Sequence, residues 1–325
     1  GLDRSVTKTL SNGEQPKPQI ILCLASFKAL HEYDWSRNLR NNPDIDEVFK
    51  RQILEPMEEN KLKSQITILE EITDKISTKV RKQYEENPYP RWVNLGLMHK
   101  AAGISEIIKE ANLKLSSAEI ISVKEPDILV AGCGTGQHSI GTAARFKGSR
   151  VLAIDLSLSS LAYAKRKTEE LGIKNIEYMQ ADILKLMKLS KQFDIVESVG
   201  VLHHMDNPMA GWKVLVDCLR GGGLMKIGLY SELARQSVVA MRLEISQSGI
   251  GSDDAEMKSL REKIIFSNDE QHKLLMSWSD FYSLSELRDL LFHVQEHRFT
   301  IPHLKQCLKE LGLKFCGFED APVVQ

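Results

Sequence analysis

The stretch from Asp127 to Asp155 constrains the fold more than any other, because it reads as strand, glycine turn, helix, strand, acid. Ile128 to Ala131 form a short apolar run of the kind that makes a strand buried on both faces. Gly132, Gly134 and Gly136 follow at once, giving a turn with no side chains to obstruct a ligand. A helix is expected from about Gln137, and the free amides of its first turn can hold an anionic group. Asp155 ends the next strand, nineteen residues past Gly136, where a carboxylate can accept both hydroxyls of a ribose. This is the pattern of a nucleoside-binding half of an open parallel sheet.

Glycine spacing narrows the nucleoside. A dinucleotide fingerprint is Gly-x-Gly-x-x-Gly, with the third glycine packing helix on strand, whereas this loop is Gly-x-Gly-x-Gly. The spacing favours S-adenosylmethionine over NAD. After Asp155 comes Ile-Glu-Tyr-Met-Gln-Ala-Asp-Ile, a strand running to Asp182, and then Phe-Asp-Ile-Val-Glu-Ser-Val-Gly-Val-Leu-His-His, a strand and its following loop. A glycine turn, Gly221 to Gly223, precedes the strand Leu-Met-Lys-Ile-Gly-Leu-Tyr. On these residues the chain resembles the class I S-adenosylmethionine-dependent methyltransferases, over roughly 127 to 230 plus the last thirty residues.

That resemblance implies an α/β fold, a Rossmann-like sheet, with S-adenosyl-L-methionine as cofactor and S-adenosyl-L-homocysteine as product. It implies cofactor contacts from Gly132, Cys133, Gly134, Gly136 and Gln137 in the turn, and from Asp155 and Leu156 at the ribose. Asp182, with Ala181 and Ile183, stands where relatives read the adenine amino group, and Ser198, Val199 and Gly200 lie in the loop under the cofactor. Two readings compete with it: an NAD-dependent oxidoreductase, disfavoured by the glycine spacing, and a non-catalytic cofactor-binding interaction protein, which would be expected to have lost Asp155 or the glycines.

With 325 residues, one catalytic domain with additions is expected. The net charge of −1, with acids and bases interspersed, offers no electrostatic footprint for nucleic acid or an anionic membrane, so a small-molecule or peptide acceptor is favoured. Cysteines 23, 133, 218, 307 and 316 form no Cys-x-x-Cys pair and read as the reduced thiols of a cytoplasmic protein. The longest apolar run, Ile20 to Leu30, is too short to span a bilayer and contains Ser26 and Lys28; it is expected to be a buried helix. Gly1 to Gln19 reads as a loose polar leader.

A helical region is expected over residues 1–117. Ile68, Ile72, Ile76 and Val80 recur every fourth residue beside Leu69, which predicts one amphipathic helix across them. The region runs into Asn-Pro-Tyr-Pro-Arg-Trp at 87 to 92, where two prolines force an extended run. That run, with Gly-Leu-Tyr-Ser-Glu-Leu-Ala-Arg at 228 to 235 and Phe-His-Val-Gln-Glu-His-Arg-Phe-Thr at 292 to 300, resembles a bacterial methyltransferase group often fused behind tetratricopeptide repeats; no such repeat is visible in this sequence. Residues 84–92 are read as a lid over the cofactor, with Tyr84, Tyr89, Arg91 and Trp92 as contacts. The core is assigned to 118–230 and 298–325, and a helical substrate-binding insertion, 231–297, is expected between the fifth and sixth strands. Thr300 and Pro302 should start a last helix, and Leu313 to Glu319 a strand that completes the sheet.

Methyl transfer needs alignment and exclusion of water, with a general base only where the nucleophile is protonated. The candidate catalytic histidines are His203 and His204, after the fourth strand of the resemblance, and His293 and His297, four apart and expected on one helix face with Glu296. Tyr230, Arg235, Tyr282 and Glu296 are candidate acceptor contacts. The two-histidine spacing also suits a metal, but the glutamate is displaced from the His-Glu-x-x-His order and no third ligand is evident, so no metal is expected.

Overall fold

The computed structural model describes residues 1–97 and 100–319. Met98 and His99, and residues 320–325 at the end of the stretch read as core, lie outside it. The chain forms two compact units, Gly1–Gln65 and Ile66–Gln325.

The first unit is helical. Instead of a loose leader, Leu2–Ser11 is a helix that buries Val6, because Val6, with Leu10 one turn on, joins a core with Ile21, Leu24, Leu30, Trp35, Leu39, Ile45, Phe49 and Ile53. The Trp35 indole donates to Asp3 Oδ1 at 2.7 Å, tying that helix to the core. Only Pro18–Ala25 of the expected 20–30 run is α-helical.

The second unit is built on a parallel six-stranded sheet. Its strands are β1 (Thr67–Ile68), β2 (Asp127–Ala131), β3 (Arg150–Asp155), β4 (Ile176–Gln180), β5 (Phe193–Val199) and β6 (Leu219–Gly228), in spatial order β1-β4-β3-β2-β5-β6. Every residue of β2 is buried, as its continuous apolar composition requires of a central parallel strand. From β2 the chain moves outward through β3 to β4, then returns to the other side of β2 as β5 and β6. The order therefore reverses at β2 and β5, and the carboxyl ends of those two strands are where an open α/β sheet binds its ligand.

Three expectations are corrected here. The predicted helix over 68–80 is a strand followed by a helix: Thr67–Ile68 pairs in parallel with β4, and Asp74 starts Lys75–Glu86 by accepting from the amides of Ile76 and Ser77 at 3.0 and 2.8 Å. The recurrence every fourth residue ran across that boundary by coincidence, and the cap overrides it. Residues 66–117 accordingly pack with the sheet.

Leu313–Glu319 is not a strand. The amide of Lys114 donates to the Cys316 carbonyl, Gly317 sits at φ 151°, and Glu319 is drawn onto Lys226 and Arg145, both at 2.6 Å. The segment is held by those ion pairs and not by a ladder. No strand follows β6 among the described residues, so the second strand expected to flank the insertion is not found there. The insertion separates β6 from the last helix, Ile301–Glu310, whose cap is Thr300.

The insertion has its own core of Val238, Met241, Ile245, Leu260, Ile264, Leu275, Phe281, Leu287, Leu290 and Leu291, drawn from helices Gln236–Ser248, Asp254–Ile265, Glu270–Met276 and Leu284–Phe292 and from the 3-10 turn Ser279–Phe281. A bridge between Ser231 and Phe299 brings its two ends together, so it leaves and rejoins the sheet unit at one point. The third correction lies at its end. The helix stops at Phe292, and 293–298 are irregular with a bend at Val294, so His293 and His297 do not share a helix face.

Candidate functional site

Over the carboxyl ends of β2 and β5 lies a cavity of about 360 Å³, lined by the glycine turn, by Asp155 and Leu156 after β3, by Ala181 to Ile183 after β4, and by Val199 to Val201 after β5. Lys75–Glu86 adds Ile76, Ser77, Val80 and Tyr84, the proline run adds Tyr89 and Pro90, and the insertion adds Asp289.

The turn can approach a ligand closely because its three glycines, Gly132, Gly134 and Gly136, all take a positive φ that side chains rarely adopt. Gly132 has φ 77°, and a Cβ there would lie 2.2 Å from Val201 Cγ2. Gly134 has φ 52°, and its Cβ would lie 3.0 Å from the Tyr89 carbonyl, so the turn and the proline run touch backbone to backbone. Thr135 strengthens that contact: its hydroxyl donates to the Pro90 carbonyl, and its own carbonyl accepts from the Trp92 indole at 3.1 Å. Trp92 is buried with Ile140 and Tyr163, and Arg91 is exposed over the Tyr163 ring. Neither lines the cavity, whereas Tyr84 and Tyr89 do.

Asp155 clasps the turn. Its Oδ2 accepts from Gly134 N–H at 2.8 Å and its Oδ1 from Ser157 N–H at 2.9 Å. Burial raises its pKa, and these backbone bonds oppose the shift. Asp182 caps the next turn through Leu184 N–H at 3.0 Å, while its Oδ2 is buried without a hydrogen-bond partner, a free acceptor at the cavity wall. Ser198 is spent on the Ala131 carbonyl at 3.0 Å and Gly136 packs on Ala164; both support the turn from behind. The cradle and its unpaired acceptor fit a nucleoside.

The histidines come together in a buried stack with Tyr230. The ring of His203 lies 3.8 Å from that of Tyr230, and the ring of His204 lies 3.5 Å from that of His293. Of these four, Tyr230 and His204 line the cavity. Gln295 organises the group, for its carbonyl lies 2.7 Å from His204 Nδ1 and 2.9 Å from His293 Nδ1. A carbonyl only accepts, so the His204 ring carries its proton on Nδ1; His293 Nδ1 also lies 3.3 Å from the Gln295 amide, which donates. His297 pairs with the Gln295 side chain at 2.9 Å. Arg235 and Glu296 are buried as an ion pair at 2.5 Å, and Tyr282 is 64% exposed with its hydroxyl on the Met276 carbonyl. All three stand outside the cavity wall.

Burial, the largest cause in each case, drives His203 down to about 2, His204 to about 4 and His293 to about 2. In the unfolded chain these rings protonate near pH 6.5. The unfolded state therefore binds more protons than the folded one below that pH, and stability that is complete above about pH 6.5 falls as the pH drops. Asp289 works against this, since burial raises its carboxyl to about 6 and the folded state then takes up its proton first. Between pH 6.5 and 5.5 the rings remove ~3 kcal/mol and Asp289 returns ~1, so a net loss of ~2 kcal/mol is expected. Urea titrations at the two pH values measure it, and equal midpoints would mean that the rings are solvated.

Sequence reading missed Asp289, His138 and Glu197. The signal was present in two of them, an acid inside the apolar strand Phe193–Val199 and another inside the apolar end of Leu284–Phe292, since buried acids must be paired.

Residues 128–223 match the family model described as a methyltransferase domain. The chain carries a class I S-adenosylmethionine-dependent methyltransferase domain. The chain aligns at 29% identity over 203 residues, 60% of its length and 49% of the relative, with an uncharacterized protein of Synechococcus sp.. It is 31% identical over 117 residues, 36% of this chain and 48% of the relative, to the ubiquinone biosynthesis O-methyltransferase of Coxiella burnetii. A probable (S)-tetrahydroprotoberberine N-methyltransferase of Papaver bracteatum is 28% identical over 110 residues, 34% of this chain and 30% of that one. The chain thus spans half or less of the length of these curated relatives. The structure of PKMT2 from Rickettsia typhi in complex with AdoHcy superposes with a TM-score of 0.47 at 20% identity, over 57% of this chain and 38% of that one. The domain's cofactor is S-adenosylmethionine. No helix among the described residues is long and apolar enough to cross a membrane.

Proposed function

We propose that the chain transfers the methyl group of S-adenosylmethionine to a small-molecule or peptide acceptor, and that the accepting atom is an amine nitrogen. The observation that supports this reading is the composition of the cavity wall, where Tyr84, Tyr89 and Tyr230 stand with the Asp289 carboxylate and no Lys or Arg is among the described lining residues. Such a wall suits a cationic group, which pairs with the carboxylate and is attracted by aromatic rings. The relatives' names include an O- and an N-methyltransferase and do not choose the atom.

Bound S-adenosylmethionine supplies a methyl group on a sulfonium whose positive charge vanishes on transfer. The chain's own residues hold, orient and dehydrate. In this reading Asp155 takes the ribose hydroxyls and Asp182 Oδ2 the adenine amino group. Asp289, fixed by the Tyr84 hydroxyl at 2.6 Å, is a carboxylate above about pH 6; it pairs with the incoming ammonium and takes one of its protons, which frees the nitrogen lone pair to be aimed at the methyl group. His204, its Nδ1–H given to Gln295, keeps its Nε2 lone pair, and with a pKa near 4 it orients an acceptor rather than storing a proton.

Asp289→Asn keeps an oxygen for Tyr84 but removes the charge. Turnover of labelled methyl from S-adenosylmethionine onto amine acceptors should fall ~100-fold, with S-adenosylhomocysteine affinity within about threefold. Undiminished amine methylation in the variant would sink the amine assignment. Wild-type chain that binds NADH in preference to S-adenosylhomocysteine would sink the methyltransferase reading, and binding without transfer to amines, alcohols or thiols would leave a non-catalytic cofactor binder.

A further inference from the structure

β6 ends at Gly228, and just beyond it Tyr230 lines the cavity together with Asp289. As part of an aromatic wall its ring would need only to be present, yet it is held far more firmly than that. The His203 ring stacks on it at 3.8 Å with 22° between the planes, and the Arg235 guanidinium lies over it at 4.0 Å. His203 is fully buried, and Arg235 is anchored on Glu296 at 2.5 Å. Contacts this close fix the plane of the Tyr230 ring and with it the direction of the hydroxyl. That hydroxyl has no hydrogen-bond partner among the described residues and is not shut away from solvent, so it is open to a ligand in the cavity. The Tyr84 hydroxyl, by contrast, is spent on Asp289 at 2.6 Å.

An amine nitrogen that attacks the methyl group turns its lone pair to the sulfonium and has three other bonds. In a primary amine one of them goes to carbon and two to hydrogen. Asp289 is the partner of one N–H. Burial, the largest cause, pushes Tyr230 up to about 12, so it stays a neutral phenol whose oxygen can accept an N–H without taking the proton. On the amine assignment proposed above, we infer that the Tyr230 hydroxyl, held by His203 and Arg235, accepts the second N–H, so that the acceptor is a primary amine and the reaction stops at one methyl group. In the transfer the nitrogen lone pair forms the N–C bond, the C–S bond breaks, and its electron pair stays on sulfur. The proton that Asp289 took from the ammonium passes to water. The product is a secondary amine, in which one N–H has become N–CH3. For a second round that methyl group would have to stand against the phenol oxygen and leave it unpaired, and a site built to hydrogen-bond a substrate N–H rejects the analogue that lacks it.

Matched pairs of a primary amine and its N-methyl derivative test this on the intact chain. Benzylamine, phenethylamine and the side-chain amine of lysine serve as probes, with transfer of labelled methyl from S-adenosylmethionine followed for wild type and Tyr230→Phe. Phenylalanine keeps the stacked ring and removes only the hydroxyl. Wild type should prefer the primary amine of a pair at least about tenfold in kcat/KM and give a singly methylated product by mass spectrometry, whereas in Tyr230→Phe the preference should fall below about threefold and dimethylated product should appear. The ratio within a pair cancels any general loss of activity, so a merely structural role for the hydroxyl would leave it unchanged. The same ratio in variant and wild type would overturn the inference. If the variant fails to fold, wild type still decides, since N-methyl amines methylated as fast as primary ones overturn it alone. Wild type that binds S-adenosylhomocysteine but methylates no amine would instead defeat the amine assignment on which it rests.

Discussion

Glu296→Ala is expected to destabilise the protein by ~3–5 kcal/mol, the cost of leaving a buried cation without its partner. The side chain of Glu296 is 1% exposed and lies 2.5 Å from Arg235, itself 4% exposed, with Arg242 at 3.5 Å and Arg298 at 3.8 Å. Arg235 also stacks over the Tyr230 ring at 4.0 Å and faces Trp278 at 5.7 Å. Without the acid, that guanidinium stays buried against an aromatic wall, and Tyr230 loses its backing. The double variant Arg235→Met with Glu296→Leu should recover much of the loss, since a pair replaced by apolar side chains leaves no orphan charge. Urea unfolding measures all three, and a Glu296→Ala loss below about 1 kcal/mol would mean that water reaches the network. The sequence offered Glu296 as an acceptor contact; its three arginines make it the keystone of the wall behind the site.

Asp155→Ala should weaken S-adenosylhomocysteine binding at least ~100-fold. Each lost hydrogen bond to a charged group is worth ~1.5–3 kcal/mol, and a ribose offers two hydroxyls. The same carboxylate holds Gly134 and Ser157 by their amides, so its removal also loosens the turn that must approach the ligand. Asp155→Asn separates the two effects, because the amide oxygen can keep one backbone bond while the charge is gone; an intermediate affinity is expected. Calorimetric affinity for the alanine variant within threefold of wild type would move the ribose elsewhere.

Much of the sheet was legible because its signals are local. Ile128 to Ala131, the three glycines, Asp155, and the runs ending at Asp182 and Gly200 carry their conformational demands in their own composition, and each is found where its pattern put it. The errors came where a periodicity was read without its partners. Ile68 and Ile76 share a spacing, but the first pairs with Gln180 in its strand and the second follows a cap. His293 and His297 also share a helical spacing, yet the helix ends at Phe292 and the rings find the Gln295 backbone and side chain. Leu313 to Glu319 alternates like a strand, but Lys226 and Arg145 pull its end aside.

What the sequence by itself determined was the nucleoside cradle: a buried strand, a turn that only glycine can make, and an acid at the next strand end, all within about thirty residues. Those are properties of backbone sterics and of apolar pattern, and both act over a few residues at a time. What only the tertiary structure decided was the company each polar group keeps. Tyr84 meets Asp289 across 205 positions, His138 and Thr142 meet Glu197 across as many as 59, and Arg235 meets Glu296 across 61. Burial sets the cost of a charge or a neutral ring, and burial depends on which distant segments cover it. Whether a histidine or carboxylate is a ligand contact, a brace or part of the core is therefore settled by packing, which no local pattern contains.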